Sequence, residues 1–384
     1  VDAAGERRFL IVAGESSGDI HAARLVQCLK GLAPCRVRGV AGPAMRAAGV
    51  ESVADVSDLA VLGFSGVIAH LPRIWRTYRR LLAEVDSFRP HAAVLVDSPG
   101  FNFRLGPALK RRGVRIFYYI APQVWAWHAS RARAMAEWVD RLAVVFPFEE
   151  PLFREAGVRA DFVGHPLLDG LAPEVDERTL RRELGVADGS RVLGILPGSR
   201  AQEVQHHAGV MLEAATRLAA DRPDLITVLP AAPGITDRDL ERAGVRSGLA
   251  ERARLRVLRG RTRAVQAFAT ACAVASGTAT LETALFGTPL VAVYRIGRLN
   301  YAIARRMVRL SHVALPNIVA GREVAPELIQ DALTAQRLAA LVQPLLDDRD
   351  ASARARAGLA EVRRRLGEPG ASSRAAAHLR ELVA

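Results

Sequence analysis

The sequence predicts an α/β protein of two Rossmann-like domains facing across a cleft. Short apolar runs alternate with helical patterns along most of the chain. These runs lack the apolar–polar alternation of half-exposed strands, which suits parallel strands buried on both faces. The organisation also repeats. F-L-I-V-A-G-E-S-S-G-D (9–19) and V-L-G-I-L-P-G-S-R-A-Q-E-V (192–204) each read as strand, small-residue loop, helix.

In chain order the strand candidates are 9–13, 93–97, 116–120 and 142–146, then 192–196, 226–230, 273–276 and 289–294. G-L-A-P-E-V-D (170–176) reads as the join. The expected domains are therefore 1–168 and 169–355. The segment 356–384 is expected to pack back on the first domain. Its helix follows G-E-P-G-A (367–371), capped by Ser372 or Ser373. A length of 384 residues suits two or three domains.

Composition narrows the function classes. No stretch reaches the ~18–20 apolar residues of a membrane span. No secretory signal is read, because F-L-I-V-A is short and runs into a turn. The chain begins at Val1, which leaves open whether residues precede it. Cys28, Cys35 and Cys272 show neither a paired framework nor metal spacing, as expected of a reducing compartment. The net charge is +13, and every basic residue except Lys30 and Lys110 is arginine. Part of that is compositional bias. It still favours an acidic partner: nucleic acid, a phosphorylated substrate or an anionic membrane. No nucleic-acid motif accompanies it, so nucleic acid is not expected. Asp237-Arg238-Asp239 and Asp348-Arg349-Asp350 follow no apolar strand and read as solvated residues rather than metal ligands.

Ligands of such sheets sit beyond the carboxyl ends of the strands. After the first strand comes A-G-E-S-S-G-D (13–19), which is neither a dinucleotide fingerprint nor a P-loop. Glu15 is a candidate site carboxylate there. The plainer reading is a turn with Ser17 or Asp19 capping the next helix, and the two are compatible. A-V-L-V-D-S-P-G-F-N-F (93–103) ends a buried strand on Asp97. In P-G-S-R (197–200), Gly198 and Ser199 can present N–H groups at a helix start, and Arg200 can fork onto a phosphate. In A-S-G-T-A-T-L-E (275–282), Ser276, Gly277, Thr278 and Ala279 can open a helix over a phosphate. Glu282 is then placed to accept from vicinal ribose hydroxyls. Two such loops point to a nucleotide diphosphate. Asn317, after Pro316, reads from the sequence alone as an Asx turn.

One helix is both basic and aromatic. Val67, Ile68, Leu71, Ile74, Trp75 and Tyr78 recur at helical spacing, with Arg73, Arg76, Arg79 and Arg80 among them. It suits an anionic membrane surface, an acyl-chain groove, or an ordinary helix covering the sheet. Trp125 and Trp127 follow a strand and read as packing or as acceptor-site lining.

Together A-G-E-S-S-G-D, V-D-S-P-G-F-N, P-Q-V-W-A-W, F-P-F-E, V-G-H-P, L-P-G-S-R-x-x-E-V, S-G-T-A-T-L-E and L-P-N-I-V-A-G-R-E, in that order from residue 13 to 323, resemble the lipid-A-disaccharide synthases of the GT-B fold. One departure is His128, where the family usually has a basic residue. The resemblance implies an inverting transfer from UDP-2,3-diacylglucosamine to 2,3-diacylglucosamine 1-phosphate (lipid X), giving a β-1,6 disaccharide phosphate and UDP. It implies no cofactor and no obligatory metal, and a place on the cytoplasmic face of the inner membrane. Asp97 becomes the first candidate for general base and Glu15 the second. Arg200 would stabilise the leaving diphosphate. Gly198, Ser199, Ser276, Gly277, Thr278 and Ala279 would line the phosphates, Glu282 would hold the ribose, and Asn317 would orient donor or diphosphate. The 67–82 helix would meet lipid. A homo-oligomer is left open. The rival readings are another two-domain nucleotide-sugar enzyme, such as a UDP-GlcNAc 2-epimerase, and a non-catalytic membrane-peripheral binder of sugar nucleotides.

Overall fold

The computed structural model describes residues 6–59, 63–123, 129–245, 248–297, 301 and 311–384. The chain forms two compact units, residues 1–169 with 366–384, and residues 170–365.

The first unit holds seven parallel strands: β1 (Arg7–Ala13), β2 (Cys35–Val40), β3 (Glu51–Ala54), β4 (Ala92–Val96), β5 (Arg115–Tyr119), β6 (Arg141–Val144) and β7 (Ala160–Phe162). Their order is β3-β2-β1-β4-β5-β6-β7. Every residue of β4 is buried, as expected of a central strand with helices on both faces. The order reverses between β1 and β4. Their register pairs Ala13 with Val96, so Gly14 and Asp97 leave the sheet side by side. This reversal is the switch point where such sheets take their ligands.

The helices used below are α1 (Ser16–Leu32), α2 (Pro43–Ala47), α3 (Gly63–Phe88) and α4 (Pro99–Lys110). The residue before α1 is Glu15, whose side chain makes no cap bond. Asp19, expected as a cap for this helix, lies inside it and is buried. Its carboxylate instead accepts the N–H groups of Gly42 (2.8 Å), Ala44 (2.8 Å) and Met45 (3.2 Å), closing the start of α2.

The second unit holds β8 (Arg191–Leu196), β9 (Leu225–Ala231), β10 (Leu255–Arg259), β11 (Ala271–Ala275), β12 (Leu290–Tyr294) and β13 (Glu327–Ile329). They are parallel, in the order β10-β9-β8-β11-β12-β13. Its switch point lies between β8 and β11. These strands feed α5 (Ala201–Ala220) and α6 (Thr278–Leu285), and α7 (Leu315–Ala320) follows later.

The last helix, α8 (Ala371–Leu382), belongs to the first unit. Its starting N–H groups, on Gly370, Ala371 and Ser372, donate to the Asp169 carboxylate at 2.7, 3.0 and 2.8 Å. Asp169, and neither expected serine, therefore supplies the cap.

Candidate active site

At the β1/β4 switch point two loops mesh. Asp97 and Ser98 both have left-handed backbone, with φ of 45° and 46°. For residues with a Cβ this costs roughly 1–2 kcal/mol each. Buried donors hold the turn. The Tyr118 hydroxyl donates to the Asp97 carbonyl at 2.5 Å, and Asn102 Nδ2 donates to the same oxygen at 2.7 Å. Asn102, in the first turn of α4, also reaches the Val96 carbonyl at 3.4 Å. The Asp97 N–H donates to the Tyr119 carbonyl at 3.2 Å.

The Asp97 side chain is half-buried. Burial, then the charge of Glu15, push its carboxyl up to about 6, against a pull from the Ser98 N–H. Glu15 itself is exposed at the mouth of the loop. Two carboxylates at one strand edge, one lifted toward neutrality, suit proton transfer near neutral pH.

In the second unit the β8 loop differs from expectation. Gly198 has φ 126°, and a Cβ there would lie 2.4 Å from the Glu203 side chain. Glu203 folds back over the loop. Its carboxylate accepts the N–H groups of Ser199 (2.9 Å) and Arg200 (3.3 Å), and pairs with the Arg200 guanidinium at 3.4 Å. Of the two N–H donors expected to be open for phosphate, that of Ser199 is thus held by the chain's own carboxylate. The Arg200 side chain remains about half exposed.

The buried His207 of α5 fastens this loop to the next. Its Nδ1 bonds the Pro197 carbonyl at 2.9 Å, and its Nε2 accepts the Arg295 N–H at 2.9 Å. Burial lowers its pKa, so it serves as a neutral bridge.

After β11, Gly277 and Thr278 are exposed and no side chain caps α6. Ser276 turns its hydroxyl to the Val313 carbonyl, 3.2 Å away. Thr278 and Ala279 open the helix, so this start keeps the character of an anion site. Glu282 differs from expectation. It accepts from Arg263 at 3.2 Å and is mostly buried. Burial pushes its carboxyl up while Arg263 pulls it down. It anchors Arg263, which also donates to the Gly170 carbonyl at 3.0 Å.

Asn317 lies inside the fold rather than at its surface. It is fully buried, and its amide is used within the fold. Nδ2 donates to the Ala325 carbonyl and to Glu327, both at 2.7 Å, and Oδ1 accepts from Val324 (2.7 Å) and Ala325 (2.9 Å). It closes the 317–325 loop.

The basic helix α3 divides. Ile74 and Tyr78 are partly buried and pack on the core, beside buried Thr77, Leu81 and Val85. Leu71 and Trp75 face out, 43% and 60% exposed. Trp75 stacks on Tyr78 at 5.2 Å, and a groove beside it is lined by Arg76, Arg79 and Arg80. The side chains of Val67 and Ile68 lie outside the described residues, as do Trp125, Trp127 and His128. Among the described residues no helix is long and apolar enough to cross a membrane, and no metal-holding cluster forms.

Tyr118, Asn102, Glu203 and His207 were missed as site-shaping residues. Only Asn102 and Glu203 carry a sequence signal, since they lie within the strand-end strings.

Two parallel sheets, each with its candidate residues at the order reversal, place the chain in the GT-B class of glycosyltransferase folds. Solved structures of that kind align over nearly its full length. A Staphylococcus aureus MnaA–UDP structure is 14% identical with a TM-score of 0.67, covering 97% of this chain and 96% of that one. The calicheamicin glycosyltransferase CalG4 is 16% identical with a TM-score of 0.64, covering 99% and 98%. The chain belongs to the lipid-A-disaccharide synthetase family, whose model matches residues 9–381. It is 42% identical to the lipid-A-disaccharide synthase of Geobacter metallireducens over 381 residues, covering 99% of this chain and 98% of that one. It is also 42% identical to that of Geobacter sulfurreducens, covering 98% and 97%.

Proposed function

We propose that the protein transfers the diacylglucosamine of UDP-2,3-diacylglucosamine to the 6-hydroxyl of 2,3-diacylglucosamine 1-phosphate. The observation that carries this reading is Asp97, held at a switch point with its carboxyl lifted to about 6, in a chain of this family. As the base, Asp97 takes the proton of the attacking hydroxyl. The oxygen bonds to the anomeric carbon from the face opposite the leaving group. The anomeric carbon–oxygen bond breaks, and its electron pair leaves on UDP. Inversion gives the β-1,6-linked disaccharide phosphate.

Within the second unit, Arg200 and the open start of α6 are the groups suited to the charge that develops on UDP. Glu15 acts on the charge state of Asp97. Leu71 and Trp75, among the arginines of α3, fit a peripheral place on the anionic inner-membrane surface. The epimerase alternative is not favoured, because the family match runs through the whole chain.

The test supplies both diacylglucosamine substrates and follows UDP and the disaccharide phosphate. One equivalent of each per turnover is expected. Epimerised UDP-sugar without a disaccharide contradicts the reading.

A further inference from the structure

The turn that carries Asp97 is the least relaxed piece of backbone in the first unit's site. Two successive residues with side chains take left-handed φ there. Left to itself, such a turn relaxes, and the carboxylate would swing with it. The fold instead spends two fully buried polar side chains on a single atom, the Asp97 carbonyl oxygen. Tyr118 comes from β5, the strand beside β4, and Asn102 from α4, the helix that follows it. The oxygen is therefore gripped from two independent elements. Burial holds the Tyr118 phenol well above its ordinary pKa, so it stays a donor throughout the working range. On the other side, Gly14 makes room for Ser98.

We propose that Tyr118 and Asn102 are positioning residues for the transfer, a two-donor clamp on the Asp97 carbonyl that fixes where its carboxylate points and how deeply it is buried. The inference rests on the reading of Asp97 as the base. The clamp touches the peptide and leaves the carboxylate free for the acceptor hydroxyl. Without it the turn opens, the carboxylate reaches water, and both its aim and its raised proton affinity are lost. The groups facing Asp97 are Glu15 from the β1 loop, the Ser98 N–H, and Tyr118.

The experiment compares Tyr118→Phe, Asn102→Leu and the double variant with wild type and Asp97→Asn. It measures kcat, acceptor KM, the pH profile of kcat/KM and thermal unfolding. Each single variant is expected to lose about tenfold in kcat with KM within about twofold. The acid limb should move from near 6 toward the ordinary carboxylate range. Unchanged kcat overturns the inference. So does a loss that follows only the folded fraction, with the limb still near 6. Tyr118→Phe removes a single hydroxyl and decides the matter alone if Asn102→Leu fails to fold. Should Asp97→Asn turn over like wild type, the base assignment falls and takes the clamp with it. If Asp97→Asn is inactive while the clamp variants behave as wild type, only the clamp fails.

Discussion

Ser98 fills the space that a side chain at Gly14 would take. A Cβ on Gly14 would lie 2.1 Å from the Ser98 hydroxyl oxygen and 2.5 Å from its Cβ. The loop bearing Glu15 and the turn bearing Asp97 are thereby seated on one another, and a change in one moves the other.

Gly14→Ala should thus act on catalysis more than on folding. The added methyl must push Ser98 aside, at about 1–3 kcal/mol. It should displace Asp97 enough to lower kcat tenfold or more. Steady-state kinetics beside a thermal melt checks this. A folded variant with wild-type kcat shows that the loops are not coupled.

Glu15→Gln removes a charge that raises the Asp97 pKa. The base works ionised, so activity rises with pH through about 6 in wild type, and this limb should move down in the variant. Stability follows the same window with a definite sign. A carboxyl lifted from 3.8 to about 6 favours the protonated folded state. Its contribution is full below 3.8 and is lost as pH rises through 6. Asp97→Asn should accordingly stabilise the protein at pH 8 and not at pH 4, measured by unfolding at the two values. Equal effects at both contradict the burial argument.

Asn317→Ala should destabilise the second unit by roughly 2–4 kcal/mol, because several buried partners lose their hydrogen bonds. What remains folded should keep the donor KM. A raised donor KM with unchanged melting would return Asn317 to the substrate.

Leu71→Ser and Trp75→Ser change exposed positions, whereas Ile74 and Tyr78 are tied to the core. The pair should weaken binding to anionic phospholipid vesicles at least fivefold without lowering the melting temperature. Unchanged sedimentation with vesicles removes the membrane role of α3.

The central strands were legible because β1, β4, β8 and β11 are continuous apolar runs buried on both faces. The outer strands were not. β2 reads Cys-Arg-Val-Arg-Gly-Val, with Arg36 and Arg38 facing Glu51, and β10 at the sheet edge is interrupted by Arg256 and Arg259. The strand-end rule singled out Glu15, Asp97, Arg200 and the start of α6, and each does lie just beyond a strand, since sequence position alone locates them. It could not say which polar side chains the fold keeps for itself. Asn317 and Glu282 are drawn inward by Glu327 and Arg263, and Glu203 reaches the β8 loop only once α5 has formed. Tyr118 looked like one more apolar strand residue because its hydroxyl partner is a carbonyl on the neighbouring strand's turn.

The most direct test of the account is the turnover of Asp97→Asn with both diacylglucosamine substrates saturating. Asparagine keeps the shape of the side chain and cannot take the proton. Turnover should fall at least a hundredfold, with UDP binding unchanged. Turnover within a few fold of wild type would contradict the assignment of Asp97 as the base.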